Sequence, residues 1–191
     1  TPAVSVLATD ISGDGRPDLV YARPTGDTVG VLLNRKGGFA SLRAPYPVDS
    51  APVELLAVDL SRDGRPELVV ASQGSGTVQL LAGLGEGSFA QGLLAPTLAA
   101  PDYQTPTGMV AQDLNGDGWA EVVVTVPSVG LLLPYRGTGS NSDVGLVALP
   151  PISGVGAARS VASLDVNGDG RFDLVTTNTS ANGILLTLGA L

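Results

Sequence analysis

Asp113-Leu-Asn-Gly-Asp-Gly-Trp-Ala-Glu121 is the stretch that decides the fold, because its pattern occurs four times along the chain. Each copy reads Asp-x-(Ser/Asn)-x-Asp-Gly-x-x-(Asp/Glu), and the four first residues lie 49, 54 and 52 positions apart. A period near 50 residues is typical of a four-stranded repeat unit and is too long for most helical repeats. The copies are named loop 1 (Asp10–Asp18), loop 2 (Asp59–Glu67), loop 3 (Asp113–Glu121) and loop 4 (Asp165–Asp173).

Short apolar runs flank every loop in the same order, which predicts strands rather than helices. First-strand candidates precede the loops at Val4–Thr9, Val53–Val58, Thr107–Gln112 and Arg159–Leu164. Compact runs typical of strands buried on both faces follow at Leu19–Ala22, Leu68–Ala71, Val122–Thr125 and Leu174–Thr177. Third strands are predicted at Val29–Leu33, Val78–Leu81, Gly130–Leu133 and Ile184–Leu188. Weaker fourth strands are predicted around Phe39–Leu42, Phe89–Leu93 and Val144–Leu149.

We therefore expect an all-β fold: a small β-propeller forming one domain over residues 1–191, with four blades of mostly four antiparallel strands. The blades are expected at about 1–50, 51–104, 105–156 and 157–191. The last unit stops after its third strand, so its blade either has three strands, is completed by another chain or continues in a longer sequence. A sandwich of two stacked sheets is the less favoured alternative, since sandwiches do not normally repeat one loop at this interval.

The repeated loop has the chemistry of a site for a hard cation. Oxygens at positions 1, 3, 5 and 9 and the backbone carbonyl at position 7 can surround an ion, and Gly at position 6 permits the sharp turn. All-oxygen ligands favour Ca²⁺, whereas Zn²⁺ prefers His or Cys, which the chain lacks. The alternative is that each loop is an Asp-Gly turn with solvated charges that binds no metal. The predicted ligands are Asp10, Ser12, Asp14, Arg16 (backbone oxygen) and Asp18; Asp59, Ser61, Asp63, Arg65 (backbone oxygen) and Glu67; Asp113, Asn115, Asp117, Trp119 (backbone oxygen) and Glu121; Asp165, Asn167, Asp169, Arg171 (backbone oxygen) and Asp173.

The charge distribution supports up to four Ca²⁺ ions, one in each repeat. Of the 18 acidic residues, 12 lie in the four loops, where close carboxylates repel one another without a counterion. Four divalent cations would cancel the net charge of −8. The loops also differ: Ser12 and Ser61 are short ligands, and Arg62 replaces a glycine found in the other loops. We expect loop 4 to bind most tightly and loop 2 least.

The strand–DxNxDGxxD–strand unit resembles the FG-GAP/VCBS repeat of integrin-α-like β-propellers. Loops 3 and 4 match that pattern closely, as do Gly38-Phe39-Ala40 and Gly87-Ser88-Phe89-Ala90. The resemblance covers nearly the whole chain and implies blades around a central axis, with Ca²⁺ between the first two strands of each blade. Propellers of this family commonly have seven blades, so four repeats imply either a small closed ring, which we favour, or part of a larger ring.

Composition disfavours several classes of function. Without His or Cys the common nucleophile–base pairs are unavailable, and most acids belong to the loops, so we predict no catalytic residues and no enzyme. The nine Arg residues are dispersed, which disfavours nucleic-acid binding. No apolar run of 18 residues predicts a membrane span.

We expect a non-enzymatic, extracellular or cell-surface module that Ca²⁺ stabilises and that assembles with copies of itself into a filament, tube or surface layer. A neutral calcium-loaded surface, an open outer edge and the apolar segments Leu93–Ala100 and Val147–Ile152 favour this interpretation. One alternative is an adhesin or lectin-like module that recognises a glycan or an extracellular protein. Another is a fragment of a larger seven- or eight-bladed propeller.

Overall fold

The computed structural model describes residues 3–41, 44–90, 105–138, 144–187 and 189, and every regular element in them is a β-strand. Sheet 1 contains β1 (Ser5–Thr9), β2 (Asp18–Arg23), β3 (Thr28–Arg35), β4 (Gly38–Ala40) and β5 (Tyr46–Pro47). Sheet 2 contains β6 (Pro52–Val58), β7 (Glu67–Ser72) and β8 (Thr77–Leu81), followed by the hairpin of β9 (Gly83–Gly85) and β10 (Ser88–Phe89). Sheet 3 contains β11 (Met109–Gln112), β12 (Glu121–Val126), β13 (Leu131–Thr138), β14 (Gly145–Ala148) and β15 (Ile152–Ser153). Sheet 4 contains β16 (Val161–Leu164), β17 (Asp173–Asn178) and β18 (Gly183–Thr187).

Each sheet is an antiparallel meander in which consecutive strands pair, as the alternation of apolar runs and turns predicts. The first three strands of every repeat lie within a few residues of their predicted positions. Two short strands, β5 and β15, return to pair with β3 and β13 and were not predicted, because two-residue strands carry no periodic signal. The described residues of sheet 4 form three strands, one of the outcomes expected for the last repeat. The segment Leu93–Ala100 lies outside the described residues.

The core consists of three layers, each between two consecutive sheets. The first joins residues of sheets 1 and 2, the second those of sheets 2 and 3, and the third those of sheets 3 and 4. The first strands also follow one another in space, because β1 contacts β6, β6 contacts β11, and β11 contacts β16. The four sheets therefore stand face to face in a row, with apolar side chains filling each space between neighbours.

Burial of the second strands depends on the place of their sheet in this row. All side chains of β7 and β12, in the two middle sheets, are buried, as predicted for strands covered on both faces. In β2 of sheet 1, buried and half-buried side chains alternate instead. In β17 of sheet 4, at the other end, only Asp173, Leu174 and Thr176 are buried. A sheet at an end of the row has a neighbour on one face only, which accounts for the difference.

Each of the first three loops sends one apolar side chain into the core of the next sheet. Position 2 is held by Ile11, Leu60 and Leu114, which are 3%, 1% and 1% exposed. These residues belong to the first, second and third core layers respectively. The equivalent residue of loop 4, Val166, is 46% exposed, since no further sheet covers it among the described residues. The loops thus hold adjacent sheets together as well as turning the chain.

The row of sheets is open in the part of the chain that the structure describes. A closed ring of four sheets would need extensive contact between β16 and β1, and the strand contacts of the described residues do not include it. Val6 of β1 and Ile184 of β18 are instead 66% and 76% exposed. The favoured expectation of a small closed ring is therefore not supported, although the antiparallel pairing of strands within each repeat is as predicted. No helix long and apolar enough to span a membrane occurs in the described ranges.

Truncation of the position-2 side chain should weaken the protein only where a following sheet covers it. We predict that Leu114→Ala lowers the free energy of unfolding by about 2–5 kcal/mol, the usual cost of a cavity at a buried leucine. Val166→Ala, its counterpart in loop 4, should cost less than about 1 kcal/mol in the monomeric protein. Urea unfolding followed by circular dichroism would measure both values. Equal losses in the two variants would contradict the role assigned to position 2.

Candidate metal centre in the repeated loops

The four loops occupy the same place in their sheets. Each connects the first and second strands, and the residues on either side of the connection are direct partners in the antiparallel ladder. In loop 1, for example, Thr9 pairs with Asp18. The predicted ligands of one repeat therefore lie within one tight connection at the same end of every sheet.

The position-1 carboxylate fixes the backbone of each loop by accepting N–H groups. Asp10 Oδ1 accepts from Gly13 N at 2.7 Å, and Oδ2 accepts from Gly15 N at 2.7 Å. Asp113 and Asp165 repeat both bonds with their own glycines, and Asp59 keeps the bond from position 6. These N–H groups, that of Gly15 above all, hold the pKa of Asp10 below its usual value. Hydrogen bonds from the backbone therefore hold each loop against its position-1 carboxylate.

Glycine at position 6 is required by the backbone of this loop. Gly15 and Gly118 have φ angles of 82° and 86°, in the left-handed region that side chains disfavour. Position 4 has a similar conformation and is glycine in loops 1, 3 and 4. In loop 2 that position holds Arg62, whose φ is 56°. Among the residues of the four loops, Arg62 is therefore the one non-glycine residue with a positive φ, a conformation that side chains disfavour.

The position-9 carboxylate anchors the loop to its sheet. Asp18 is fully buried, with Oδ2 accepting from Ile11 N and Ser12 N and Oδ1 accepting from Asn34 N on β3 at 2.7 Å. Glu67 and Glu121 are equally buried and accept from the N–H groups of Leu60 and Leu114. Burial raises the pKa of both glutamates. Asp173 of loop 4 is anchored likewise, to Val166 N and Gly189 N.

In loop 3, the side chain at position 3 contacts the carboxylates of both position 5 and position 9. Asn115 Nδ2 donates to Asp117 Oδ2 at 3.2 Å and to Glu121 Oε1 at 3.1 Å. In loop 4, Asn167 Nδ2 donates to Asp169 Oδ2 at 2.9 Å. An amide NH₂ group is thus the positively polarised group between two carboxylates of loop 3. Amide oxygen and nitrogen exchange places by rotation, so the same side chain can offer an oxygen to a cation.

The donor set of each loop fits a calcium ion chemically. Within the described residues, however, no three acidic side chains form a close cluster ready for a metal ion. The position-9 acid lies at the base of the loop, and the position-1 and position-5 acids lie at its rim, where they accept backbone N–H groups. The residues that would hold the ion remain the predicted ones. Bound calcium would neutralise the loop carboxylates and cross-link them.

Loop 2 differs from the others because an arginine already neutralises its position-5 acid. Arg65 Nη2 lies 2.5 Å from Asp63 Oδ2, and this hydrogen bond lowers the pKa of the aspartate. In loop 1, Arg35 lies 3.9 Å from Asp14, which is a weaker contact. A guanidinium group on a candidate ligand competes with a cation for the same oxygens. This contact adds a structural reason for the prediction that loop 2 is the weakest site.

The sequence reasoning treated position 9 as a metal ligand only and missed its anchoring role. No feature of a single loop distinguishes the two roles, because both require a carboxylate at that place. It also missed Arg136 on β13, which lies with Asp117 and Trp119 beside a cleft of about 400 Å³. Comparison of the repeats could have found Arg136, which lies 23 positions after the first residue of loop 3. The equivalent residues of the other repeats, Leu33, Ala82 and Leu188, are all apolar.

Comparison with known proteins identifies the class of this chain. The model of the FG-GAP-like repeat matches three overlapping segments, residues 10–70, 59–124 and 113–176. The chain belongs to the FG-GAP repeat family, as the resemblance of loops 3 and 4 indicated. None of the curated proteins with which the chain was compared matches it.

Solved structures show the same fold. The crystal structures of BBS1N in complex with ARL6DN, soaked with lead and with mercury, superpose with TM-scores of 0.60 and 0.62 at 15% identity. The similarity covers 98% and 97% of this chain and 57% of BBS1N, so the chain spans little more than half the length of that relative. The Photorhabdus luminescens Tc holotoxin pore gives a TM-score of 0.53 at 19% identity, over 95% of this chain and 9% of that chain. The expected all-β, propeller-type fold is confirmed.

Calcium should stabilise the protein, and the four loops should contribute unequally. We predict that millimolar Ca²⁺ raises the Tm relative to EDTA, with each occupied site adding on the order of 1 kcal/mol by mass action. Asp169→Ala in loop 4 should remove more of this increase than Asp63→Ala in loop 2. Differential scanning calorimetry in both buffers would measure the increase for each variant.

Glu86→Gln is the control for this experiment, because Glu86 is an exposed acid outside the four loops. Its calcium-dependent increase should equal that of the unmodified protein. An increase in Tm that survives Asp169→Ala but not Asp63→Ala would reverse the ranking. A Tm that calcium leaves unchanged would contradict the metal centre itself.

Proposed function

We propose that this protein is a non-enzymatic, calcium-stabilised structural module that associates with copies of itself through the two end sheets of its row. The observation that carries the proposal is the exposure of apolar residues at both ends, above all Ile184 and Val6, at repeat positions that pack in core layers elsewhere in the row. The expected extracellular or cell-surface setting belongs to the same proposal, because millimolar calcium is needed to fill sites of ordinary extracellular affinity.

The outward face of sheet 4 exposes apolar side chains, and no other sheet of the described residues covers it. Repeat position 20 is Val29, Val78 and Leu132 in the first three repeats, and these residues are 0%, 4% and 0% exposed. They belong to the three core layers, where the following sheet covers them. The fourth residue at this position, Ile184, is 76% exposed.

The residues around Ile184 continue the same exposed surface. Leu186 and Leu164 lie on the same face of sheet 4 and are 41% and 45% exposed. Val166, at position 2 of loop 4, is exposed as well. A contiguous apolar surface of this kind usually marks an interaction site rather than a solvent-facing surface.

The outward face of sheet 1 is the counterpart of this surface. The residue four places before each loop is Val6, Leu55, Met109 or Val161, and the last three pack in core layers against the preceding sheet. Val6 has no preceding sheet and is exposed. Leu19 and Tyr21 share its face and are half-buried.

These two end faces are complementary, because equivalent faces pack against each other inside the row. In each of the three core layers, the face of one sheet that corresponds to the outward face of sheet 4 packs against the next sheet. The face that it contacts corresponds to the outward face of sheet 1. The same contact between two molecules joins different surfaces of each copy, which gives either a closed ring of few copies or an open filament. Two copies in a ring would supply eight sheets. The occupant best matched to each end is therefore a second copy of this chain.

A second candidate is completion of the row by further repeats of a longer chain. The observation that favours it is the coverage of BBS1N, of which this chain spans 57%. In that case the native protein is heavier than the 191-residue chain and monomeric, a result that mass measurement and light scattering distinguish from self-association. An adhesin that recognises a protein partner remains a weaker alternative, suggested by the complex of BBS1N with ARL6DN.

A charged residue on an end face should prevent association without unfolding the monomer. We predict that the unmodified chain forms dimers or longer assemblies in millimolar Ca²⁺, and that Ile184→Glu raises the dissociation constant at least tenfold. The reason is that the carboxylate would be buried without a partner in the assembly. Sedimentation equilibrium with Ca²⁺ and then with EDTA would measure the change.

Leu84→Glu is the matched control, since Leu84 is 48% exposed on β9, in the hairpin that follows the middle sheet 2, and so lies on neither end face. It should leave association unchanged, and circular dichroism should show that both variants are folded. A calcium-loaded chain that stays monomeric at about 100 μM would overturn the proposal, since that concentration exceeds the dissociation constants of stable assemblies. Equal effects of the two substitutions would overturn the assignment of the interface.

A further inference from the structure

Three residues that depart from the repeat pattern meet at one place. Position 4 of the loops is glycine except for Arg62, and position 7 is arginine except for Trp119. Position 24 is Leu33, Ala82 and Leu188 in three repeats but Arg136 in the third. The Arg62 guanidinium lies 4.7 Å from the centre of the Trp119 ring. Trp119 and Arg136 in turn line the same cleft, together with Asp117, Gly137 and Thr138.

The backbone at this junction is arranged to bring loop 2 against sheet 3. A side chain at Gly137 would lie 3.1 Å from Leu60, so glycine permits the close approach of loop 2 to β13. Arg62 itself has the positive φ angle that glycine adopts in the other loops. The other three repeats have glycine at this position. In the second repeat, the residue with this disfavoured φ is an arginine whose guanidinium group contacts the only tryptophan of the chain.

The two arginines lie outside the ion pairs of the described residues, although Asp117 lines the same cleft as Arg136. Among the described residues, neither Arg62 nor Arg136 forms an ion pair, and both side chains are exposed. In register, Arg136 is opposite Glu121, but that glutamate is buried and bonded to Leu114 N and Asn115 Nδ2. An unpaired guanidinium beside an aromatic ring is suited to a ligand that carries a carboxylate.

The remaining lining of the cleft favours a saccharide over an acidic peptide. Its volume of about 400 Å³ falls within the range of small-ligand sites. The indole offers an apolar surface, while Thr138 and Asp117 offer a hydroxyl group and carboxylate oxygens suited to bonds with ligand hydroxyls. The acids of loop 3 would repel a chain of closely spaced carboxylates. A saccharide with one carboxylate per two sugar rings would be repelled less than such a chain, because its negative charges are farther apart.

We propose that the cleft of loop 3 and β13, lined by Trp119 and Arg136 and adjoined by Arg62 of loop 2, binds an acidic saccharide whose carboxylate contacts Arg136. Arg62 acts as a positioning residue that holds the indole and adds positive charge beside it. The site is independent of the end sheets, so it adds a ligand to the structural module and does not rest on self-association.

Intrinsic fluorescence tests the proposal directly, because Trp119 is the only tryptophan. The probe is a hyaluronan tetrasaccharide in calcium-containing buffer, and chitotetraose is the uncharged comparison. We expect saturable fluorescence change with the first probe, weakening as NaCl is raised, and at least tenfold weaker binding of the second. Binding of both sugars with equal affinity, or of neither at millimolar concentration, would overturn the proposal.

Variants that restore the residue of the other repeats separate binding from folding. Arg136→Leu and Arg62→Gly should each weaken binding of the hyaluronan tetrasaccharide at least tenfold. Arg62→Gly should also keep or raise the Tm, because glycine relieves the positive φ. Arg159→Leu, a change at an exposed arginine outside the cleft, should leave affinity unchanged.

Three results of these titrations would overturn the site. The first is an affinity that Arg136→Leu changes less than twofold. The second is a lower Tm in Arg62→Gly with unchanged affinity, which would make the Arg62–Trp119 contact a purely structural link between sheets. The third is tighter binding of poly-glutamate than of the hyaluronan tetrasaccharide, which would identify an acidic peptide as the ligand.

Discussion

The buried carboxylate at position 9 is the constraint on which the rest of the structure depends. It accepts the N–H of position 2 in all four loops, and this bond fixes where the position-2 side chain lies. In the first three loops that side chain enters the core of the next sheet. A buried acid is costly unless its oxygens are bonded, so each loop must form completely for its sheet to pack. Turn formation and stacking of sheets are thereby coupled.

This coupling gives calcium a physical role beyond neutralising charge. The position-1 and position-5 acids at the rim belong to the same nine-residue connection as the buried anchor at its base. An ion held by the rim would restrict the loop and therefore the position-2 side chain in the neighbouring sheet. Stabilisation of one small loop would then strengthen an entire apolar layer. Because each sheet depends on its neighbours, the effect would extend along the row as in other repeat proteins.

Much of this arrangement could be predicted from the sequence, because a repeat supplies its own internal comparison. The strand order followed from apolar runs on either side of each loop, and β7 and β12 are buried on both faces as those runs indicate. Closure of the row could not be predicted, since Ile184 and Leu132 are equally apolar in sequence and differ only in what covers them. The anchoring role of Asp18 was hidden for a related reason: a ligand and a hydrogen-bond acceptor require the same side chain.

Residues that differ between the repeats indicate function more directly than residues that all four repeats share. Positions shared by all four repeats are explained by the fold, because every sheet needs the same loop and the same apolar layer. Arg62, Trp119 and Arg136 are not required by that geometry, as three other repeats form it with glycine, arginine and small or branched apolar residues. Independent drift would scatter such departures over the surface. Their convergence at one junction, with one of them held in a strained backbone conformation, is the pattern of a site built on the repeat rather than of the repeat itself.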